Sequence, residues 1–465
     1  MKLYDIVFVD IPLINYERND ELDSYLTNYY KECNDIIWKL TGVNAVEKSN
    51  YYSMGILCLS SYLKESIEKI KVGYINYYLN INEFSEYVKN TSVLAFSTMT
   101  ITMNTIIKLA YDAYKINPKL RIVLGGYHAS YCAHSILENC SFIDCVFLFE
   151  GEQSLLEYVT NKRKETISGV AFRNEKGEIV INPFRKYLKN SKIPSPDYSL
   201  IVNDIKEYNI QLSTMRGCVG ACNFCVNKSY WSCPRLIPVN SIVDELMFLK
   251  ENLNKDTVIH IIDNNFTYNK SRLKKLYEVM KKNNLIGYFK FECDTLSSLI
   301  DEETVDLLEK IGVFKIGIGI EDCDNLILRN ANKPSTFELN VNSAKIIKRV
   351  SDNICVYAYW IIGLPGSTIE SLEKNLEQMK ELIENNIIDI VSPKIFIPYP
   401  GTSYFDEPNK YGIMITSYNW DLYERRNPPF PFCYDNLTDI QLYDYLLKSF
   451  KTCHESYLSK NKDQF

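Results

Sequence analysis

Three cysteines stand at C-x3-C-x2-C spacing in the stretch Met215-Arg216-Gly217-Cys218-Val219-Gly220-Ala221-Cys222-Asn223-Phe224-Cys225, directly after the strand-like run Ile210-Gln211-Leu212-Ser213-Thr214. Thiols this close in sequence can wrap one metal centre from a single glycine-rich loop. Three ligands do not complete a tetrahedral shell, so another residue supplies the fourth or one position stays open for chemistry. An iron–sulfur cluster with one iron free of protein ligands can chelate a small molecule there and pass it an electron. The competing reading is a structural zinc knot with Cys233 as fourth ligand, although zinc sites usually arrive as two paired-cysteine motifs.

The spacing, Phe224 directly before the last cysteine and the strand-to-loop context resemble the radical S-adenosylmethionine (radical SAM) superfamily. The resemblance implies that Cys218, Cys222 and Cys225 hold a [4Fe–4S] cluster whose unique iron binds the amino and carboxylate groups of SAM. Reductive cleavage would then give methionine and a 5′-deoxyadenosyl radical.

The elements after the loop alternate. Strands are expected at Val258–Ile262, Tyr288–Glu292, Phe314–Ile320, Tyr357–Ile362 and Ile390–Ile397, with amphipathic helices near 241–252, 271–283, 301–311, 336–350 and 370–386. With the strand before the loop this makes six β/α units, which suits a partial barrel with its site at the C-terminal strand ends. Those ends carry Asp263-Asn264-Asn265, Glu292-Cys293-Asp294, Gly319-Ile320-Glu321-Asp322, Gly363-Leu364-Pro365-Gly366 and Pro398-Tyr399-Pro400-Gly401-Thr402. Any one carboxylate reads equally well as a helix N-cap; several on one rim make a polar pocket.

In the terms of the resembled family, Glu321 contacts the SAM ribose or amino acid moiety, and the Gly363–Gly366 turn forms a platform for its adenine and methionine parts. Asp263, Asn265 and Glu292 are further polar contacts, and Phe224 belongs to the same SAM set. Arg216 and Arg235 flank the loop and suit a bidentate carboxylate, with solvated surface arginines as the alternative. No residue is singled out as catalytic.

The upstream segment also alternates, with strands at Ile6–Asp10, Val72–Ile75, Ser92–Ser97, Arg121–Leu124 and Val146–Phe149 and helices near 54–69, 101–116 and 152–160. This pattern predicts a doubly wound, Rossmann-like parallel sheet with ligands at the carboxyl strand ends. Those ends carry Ser97-Thr98, Gly125-Gly126-Tyr127-His128 and Glu150-Gly151. From Tyr51 to Val159 the segment resembles the cobalamin-binding domain of B12-binding radical SAM enzymes, which implies that Ser97, Thr98, Gly125, Gly126, His128, Glu150 and Gly151 line the corrin and its tail. His128 reads equally as a surface or hydrogen-bonded histidine. The loop Asp10-Ile11-Pro12-Leu13-Ile14-Asn15 lacks the Asp-x-His motif that ligates cobalt in mutase-type proteins, so the domain either binds cobalamin without that histidine or retains the fold and has lost the ligand.

Boundaries are expected at 1–165 for the Rossmann-like domain, 166–203 for a β-hairpin and proline-marked linker, 204–402 for the partial barrel and 403–465 for an aromatic cap. The segment from about 15 to 50 reads as a partly helical insertion lining the domain junction. The cap either covers the barrel mouth or packs as an ordinary terminal helix.

With 465 residues, a net charge of −6 and no basic run, the chain has ordinary globular composition, and nucleic acid is not an indicated partner. No apolar run approaches a membrane span and the N-terminus does not read as a signal peptide, so a cytoplasmic location is expected. Fourteen cysteines then argue for thiols and metal ligation rather than disulfides. The joint resemblance implies an oxygen-sensitive enzyme that uses a [4Fe–4S] cluster, SAM and cobalamin to methylate an unactivated carbon of a small metabolite, fed by a reductant such as flavodoxin or ferredoxin. The alternatives are a non-methylating radical SAM enzyme of the same architecture, with or without cobalamin, and a zinc-stabilised binding protein.

Overall fold

A computed structural model describes residues 3–11, 21–45, 48, 50–423 and 427–462 of the chain. It divides into two compact units, one of residues 1–14 and 48–209, the other of residues 15–47 and 210–465.

The first unit is built on Ile6-Val7-Phe8-Val9, four consecutive residues at most 2% exposed. Such an unbroken apolar run is what a central strand needs when helices cover both faces of the sheet. It lies in the strand Tyr4–Asp10, flanked by Val72–Asn76 on one side and Thr91–Ser97 on the other. Arg121–Gly125 and Cys145–Phe147 extend the sheet in parallel. Taken in chain order as one to five, the strands lie 2-1-3-4-5, a doubly wound sheet whose topological switch point falls between Asp10 and Ser97. The hairpin Val170–Arg173 and Ile179–Ile181 continues this sheet antiparallel at its edge.

The helix Tyr127–Asn139, which begins at the glycine pair, is not foreseen by the sequence. Its inward positions include the small Ala129 and Ala133, and Cys132 breaks its helical dihedrals, so the periodicity is weak. The loop Asp10–Asn15 is described only as far as Ile11.

The second unit carries six parallel strands in one sheet, neighbours in space in the same order as in sequence: Ile210–Leu212, Val258–Ile261, Lys290–Thr295, Val313–Glu321, Cys355–Ile362 and Ile390–Ile395. Helices Val239–Asn252, Lys270–Lys282, Glu302–Ile311, Phe337–Val350 and Ile369–Glu384 follow strands one to five. They cover the apolar face: Trp360 is fully buried, its Nε1 donating to Asn375 Oδ1 at 2.8 Å from the last of these helices. The opposite, concave face carries the alternate residues His260, Glu292, Asp294, Lys315, Tyr357 and Tyr359, all half-buried.

The third strand runs to Thr295 rather than ending at Glu292. Glu292 therefore lies mid-strand, where it pairs with Lys315 and accepts from His260 Nδ1 at 2.9 Å. Lys315, then His260, outweigh burial and hold Glu292 down at about 2.

An open barrel leaves an edge, which here is the sixth strand. Val391 N donates to Tyr457 Oη at 2.9 Å, Tyr29 Oη donates to Val391 O, and the two phenols lie 3.3 Å apart. Tyr29 comes from the helix Glu21–Thr41 and Tyr457 from the final helix Asp439–Lys462. Two helices thereby satisfy an edge that would otherwise template further pairing. Glu21–Thr41 belongs to the barrel unit.

Candidate active site

The thiol loop leaves the first barrel strand through a buried bracket. Asp263, 2% exposed, accepts from Thr214 N at 2.7 Å, from Met215 N at 3.0 Å and from the Thr214 hydroxyl. Arg272 closes the turn from the other side, donating to Thr214 O at 2.5 Å and Ile237 O at 3.2 Å. Burial raises Asp263 to about 6 against the pull of these bonds and of Arg272. Asp263 holds the loop's root, and its oxygens are already engaged there.

Gly217 has φ +89, and a Cβ there would stand 2.7 Å from Cys233 O. Cys233 thus turns its carbonyl to the loop while its residue is exposed. Among the described residues, no three His, Cys, Asp or Glu side chains converge on a single metal ion. Two of the thiols border Gly220: a Cβ there would stand 3.5 Å from Cys218 Sγ and 3.8 Å from Cys222 Sγ. Burial pushes Cys222 up to about 12; Lys333 opposes this, while Cys225, Glu321 and Cys218 reinforce it. Three soft donors on one short loop fit a [4Fe–4S] cluster, whose thiolates sit on separate irons. Phe224 is half-buried beside them. The loop is tied to the segment after the fourth strand: Asn223 N donates to Ala331 O at 2.9 Å, and Asn332 Nδ2 to Ala221 O at 2.8 Å.

Glu321 reaches this loop because of two backbone irregularities. The fourth strand slips register against the fifth between Gly319 and Glu321, and Glu321 has φ +66, a left-handed conformation unusual outside glycine. The carboxylate folds back over Gly319 and pairs with Lys333 Nζ at 2.8 Å, both side chains less than a tenth exposed. Burial works against the Lys333 charge, but Glu321, Cys222 and Cys225 hold its pKa above the ordinary lysine value. Lys333 escaped the sequence reading because a lone loop lysine carries no spacing signal.

The other candidates sort by place. Asn265 Oδ1 accepts from Thr295 Oγ1 at 3.2 Å, inside the fold. Gly363, at φ +82, gives its carbonyl to Tyr434 Oη at 2.8 Å, Gly366 has φ +97, and Asn436 Nδ2 holds Ser367 O at 2.8 Å. The aromatic tail therefore braces the loop after the fifth strand, while its final helix also packs on the sixth-strand edge. Arg235 is 6% exposed and stacks its guanidinium 5.2 Å from the Trp231 ring centroid, with Arg216 at 6.0 Å, so Arg235 is not a solvated surface residue.

In the first unit Gly126, at φ +98, lets two strand-end loops touch: a Cβ there would stand 2.8 and 2.9 Å from Thr98 O and N. Thr98 N and Oγ1 both donate to Gly125 O, at 2.7 and 2.9 Å, while Oγ1 accepts from Ala129 N at 2.9 Å and caps the unforeseen helix. Ser97 Oγ lies 3.5 Å from Ser53 Oγ beside the switch point. Glu150 accepts from Leu188 N at 2.6 Å, and Gly151 precedes the helix Glu152–Val159. His128 is 1% exposed, with Nδ1 3.2 Å from Thr100 Oγ1, and burial lowers it to about 4. It is a buried, neutral histidine and not a surface one. The glycine-floored loops at the switch point fit a corrin tail.

The sequence model of the radical SAM superfamily matches residues 212–379, and that of the B12 binding domain matches residues 40–159. The chain belongs to the radical SAM superfamily and carries a B12 binding domain, which implies a [4Fe–4S] cluster, SAM and cobalamin as the cofactors of an enzyme. It is similar to the anaerobic magnesium-protoporphyrin IX monomethyl ester cyclase of Rubrivivax gelatinosus, 24% identical over 63% of this chain and 54% of the relative. It is similar also to an uncharacterized methyltransferase of Pyrococcus horikoshii, 24% identical over 81% of this chain and 82% of the relative. The chain spans about half the length of the cyclase and most of the methyltransferase. Its fold resembles that of the cobalamin-dependent S-adenosylmethionine radical enzyme OxsB, with a TM-score of 0.70 at 14% identity, over 93% of this chain and 65% of that one.

Proposed function

We propose that this protein is a cobalamin-dependent radical SAM methyltransferase acting on an unactivated carbon of a small metabolite or natural-product intermediate. The observation that carries the reading is the bulged fourth strand, which delivers Glu321 and Lys333 to the three-thiol loop of a chain that also holds a B12 binding domain. When bound, the cluster with SAM supplies a carbon-centred radical and cobalamin a transferable methyl group. Cys218, Cys222 and Cys225 hold the cluster, and Asp263 fixes the strand-to-loop turn that presents them. Glu321 orients a hydroxyl or ammonium group of SAM while Lys333 balances its charge. The Gly363–Gly366 turn, braced by Tyr434 and Asn436, offers backbone groups to the rest of SAM. The substrate meets the polar concave face, where Asp294 accepts from Tyr359 Oη at 2.9 Å. In the first unit Ser97, Thr98, Gly125 and Gly126 bound the cobalamin site, and Glu150 and Gly151 anchor its flank. A small electron carrier such as flavodoxin or ferredoxin would reduce the cluster. Among the described residues no helix is long and apolar enough to cross a membrane.

A second reading, favoured by the likeness to a cyclase, is ring formation on the same cofactors without methyl transfer. The test uses anaerobic protein reconstituted with iron and sulfide, incubated with hydroxocobalamin and desalted. Near-stoichiometric iron, sulfide and cobalt, followed by transfer of a deuterated methyl from SAM to product, is expected. Cobalt without any methyl transfer across candidate substrates moves the assignment to ring formation. Cys222→Ala is expected to abolish SAM cleavage, and 5′-deoxyadenosine from that variant would overturn the ligand set.

A further inference from the structure

One buried hydroxyl near the thiol loop has no use in the scheme above. Tyr404 lies in the short helix Ser403–Asp406, directly past the sixth barrel strand, where Thr402 Oγ1 caps the first turn by accepting from Phe405 N at 3.3 Å. Tyr404 is fully buried, and among the described residues its phenol oxygen has no hydrogen-bond partner. A buried hydroxyl of this kind is uncommon and calls for a partner that the chain itself does not supply. The ring is not free to search for one. It is held edge-on between Phe396 and Tyr411, with ring centroids 5.3 and 4.7 Å away.

The same turn is attached to the metal-binding loop. Ser229, in the short helix Asn227–Tyr230 that follows Cys225, donates its hydroxyl to Gly401 O, three residues before Tyr404. Burial first, then Tyr411 and Cys222, push the Tyr404 phenol well above the ordinary tyrosine range. The phenol is therefore a neutral donor, and the Cys222 sulfur is among its electrostatic neighbours.

We propose that the Tyr404 hydroxyl donates a hydrogen bond to the sulfur side of the metal centre held by Cys222, and so raises the reduction potential of that centre. The inference rests on the cluster reading above. A reduced cluster carries one more negative charge than the oxidised one, and a donor fixed at its sulfur stabilises the reduced form more. Tyr404 is a tuning residue in this scheme: it neither ligates iron nor meets the substrate. Its placement assigns the segment past the barrel a part in electron uptake besides that of bracing loops.

The test compares reconstituted full-length protein with Tyr404→Phe, which keeps the ring and removes only the donor, and with Tyr411→Phe, which removes the neighbouring phenol. Iron and sulfide per chain are measured first, then the midpoint potential by EPR-monitored titration. Equal cluster content is expected in all three. In Tyr404→Phe the ratio of reduced to oxidised cluster at a fixed potential is expected to fall by about tenfold, a negative shift of about 59 mV for a one-electron couple, with Tyr411→Phe unchanged. Equal potentials in wild type and Tyr404→Phe would overturn the proposal while leaving the cluster reading intact. Wild-type protein that takes up no iron and sulfide would overturn both. A second measurement needs no variant: wild-type protein grown on tyrosine labelled with oxygen-17 at the phenol is expected to show an oxygen-17 coupling in the pulsed EPR spectrum of the reduced cluster. Absence of that coupling counts against the hydrogen bond even if Tyr404→Phe fails to fold.

Discussion

At Gly319 one added methyl group bears directly on the buried Glu321–Lys333 pair. Gly319 lies under the Glu321–Lys333 pair, and a Cβ on it would stand 2.2 Å from Glu321 Oε1 and 2.5 Å from Lys333 Nζ, inside van der Waals contact with both. Ordinary contact begins near 3.5 Å, so Gly319→Ala must displace both the Glu321 carboxylate and the Lys333 ammonium by about 1 Å or separate the pair. Both partners are less than a tenth exposed. Separating a buried ion pair costs about 3–5 kcal/mol, because each charge is left without compensation. If the pair is what presents Glu321 to SAM, that cost appears as a loss of SAM affinity of roughly 10²- to 10⁴-fold. The assay is equilibrium SAM binding to the anaerobic, reconstituted variant, with iron and sulfide content measured in parallel. Gly287→Ala serves as comparison, since Gly287 has φ +72 but nothing within 4 Å of its would-be Cβ. SAM binding by Gly319→Ala within about threefold of wild type, at full cluster content, would refute the reasoning that the bulge exists to place this pair.

Gly126→Ala puts a side chain at φ +98 and against the Thr98 backbone at 2.8 Å, which neither loop can absorb by a side-chain rotation. Cobalt retained after desalting is expected to fall with iron unchanged; equal cobalt would remove the Thr98–Gly126 contact from the cobalamin site. Asp263, raised from 3.8 to about 6 by burial, takes up a proton on folding. Its stability contribution is therefore complete below pH 3.8 and declines as pH rises through about 6, by roughly 3 kcal/mol. Asp263→Asn is expected to flatten that part of the stability–pH profile in urea unfolding, and an unaltered slope would count against it. Tyr457→Phe leaves the buried Val391 N–H without its acceptor, a loss of about 1–3 kcal/mol seen as a lower melting temperature. Because Tyr29 and Tyr457 lie 3.3 Å apart, the double Phe variant should depart from additivity. Strict additivity would show two independent edge contacts.

Much of this protein is legible in its sequence because the relevant signals are local. The spacing of Cys218, Cys222 and Cys225 marks the candidate metal-binding loop, and the alternation of short apolar runs with amphipathic ones yields both parallel sheets, since strand burial and helix periodicity are written within a few residues of each other. Element ends are not written locally: Glu292, a strand end by sequence pattern, lies mid-strand with Lys315 and His260, a pairing set by register between strands that no single segment encodes. The helix Tyr127–Asn139 was hidden because small residues and a kink at Cys132 blur its period. Only the tertiary structure decided what depends on chain segments distant in sequence. The left-handed turn that sends Glu321 to Lys333, the Asp263 bracket under the thiol loop, the burial of His128 against Thr100, and the edge of the sixth strand closed by Tyr29 and Tyr457 all join residues whose types, taken one by one, are ordinary. Spacing within a loop fixes which atoms can meet a metal, whereas the charge balance and hydrogen bonds around that metal come from strands and helices brought together by packing.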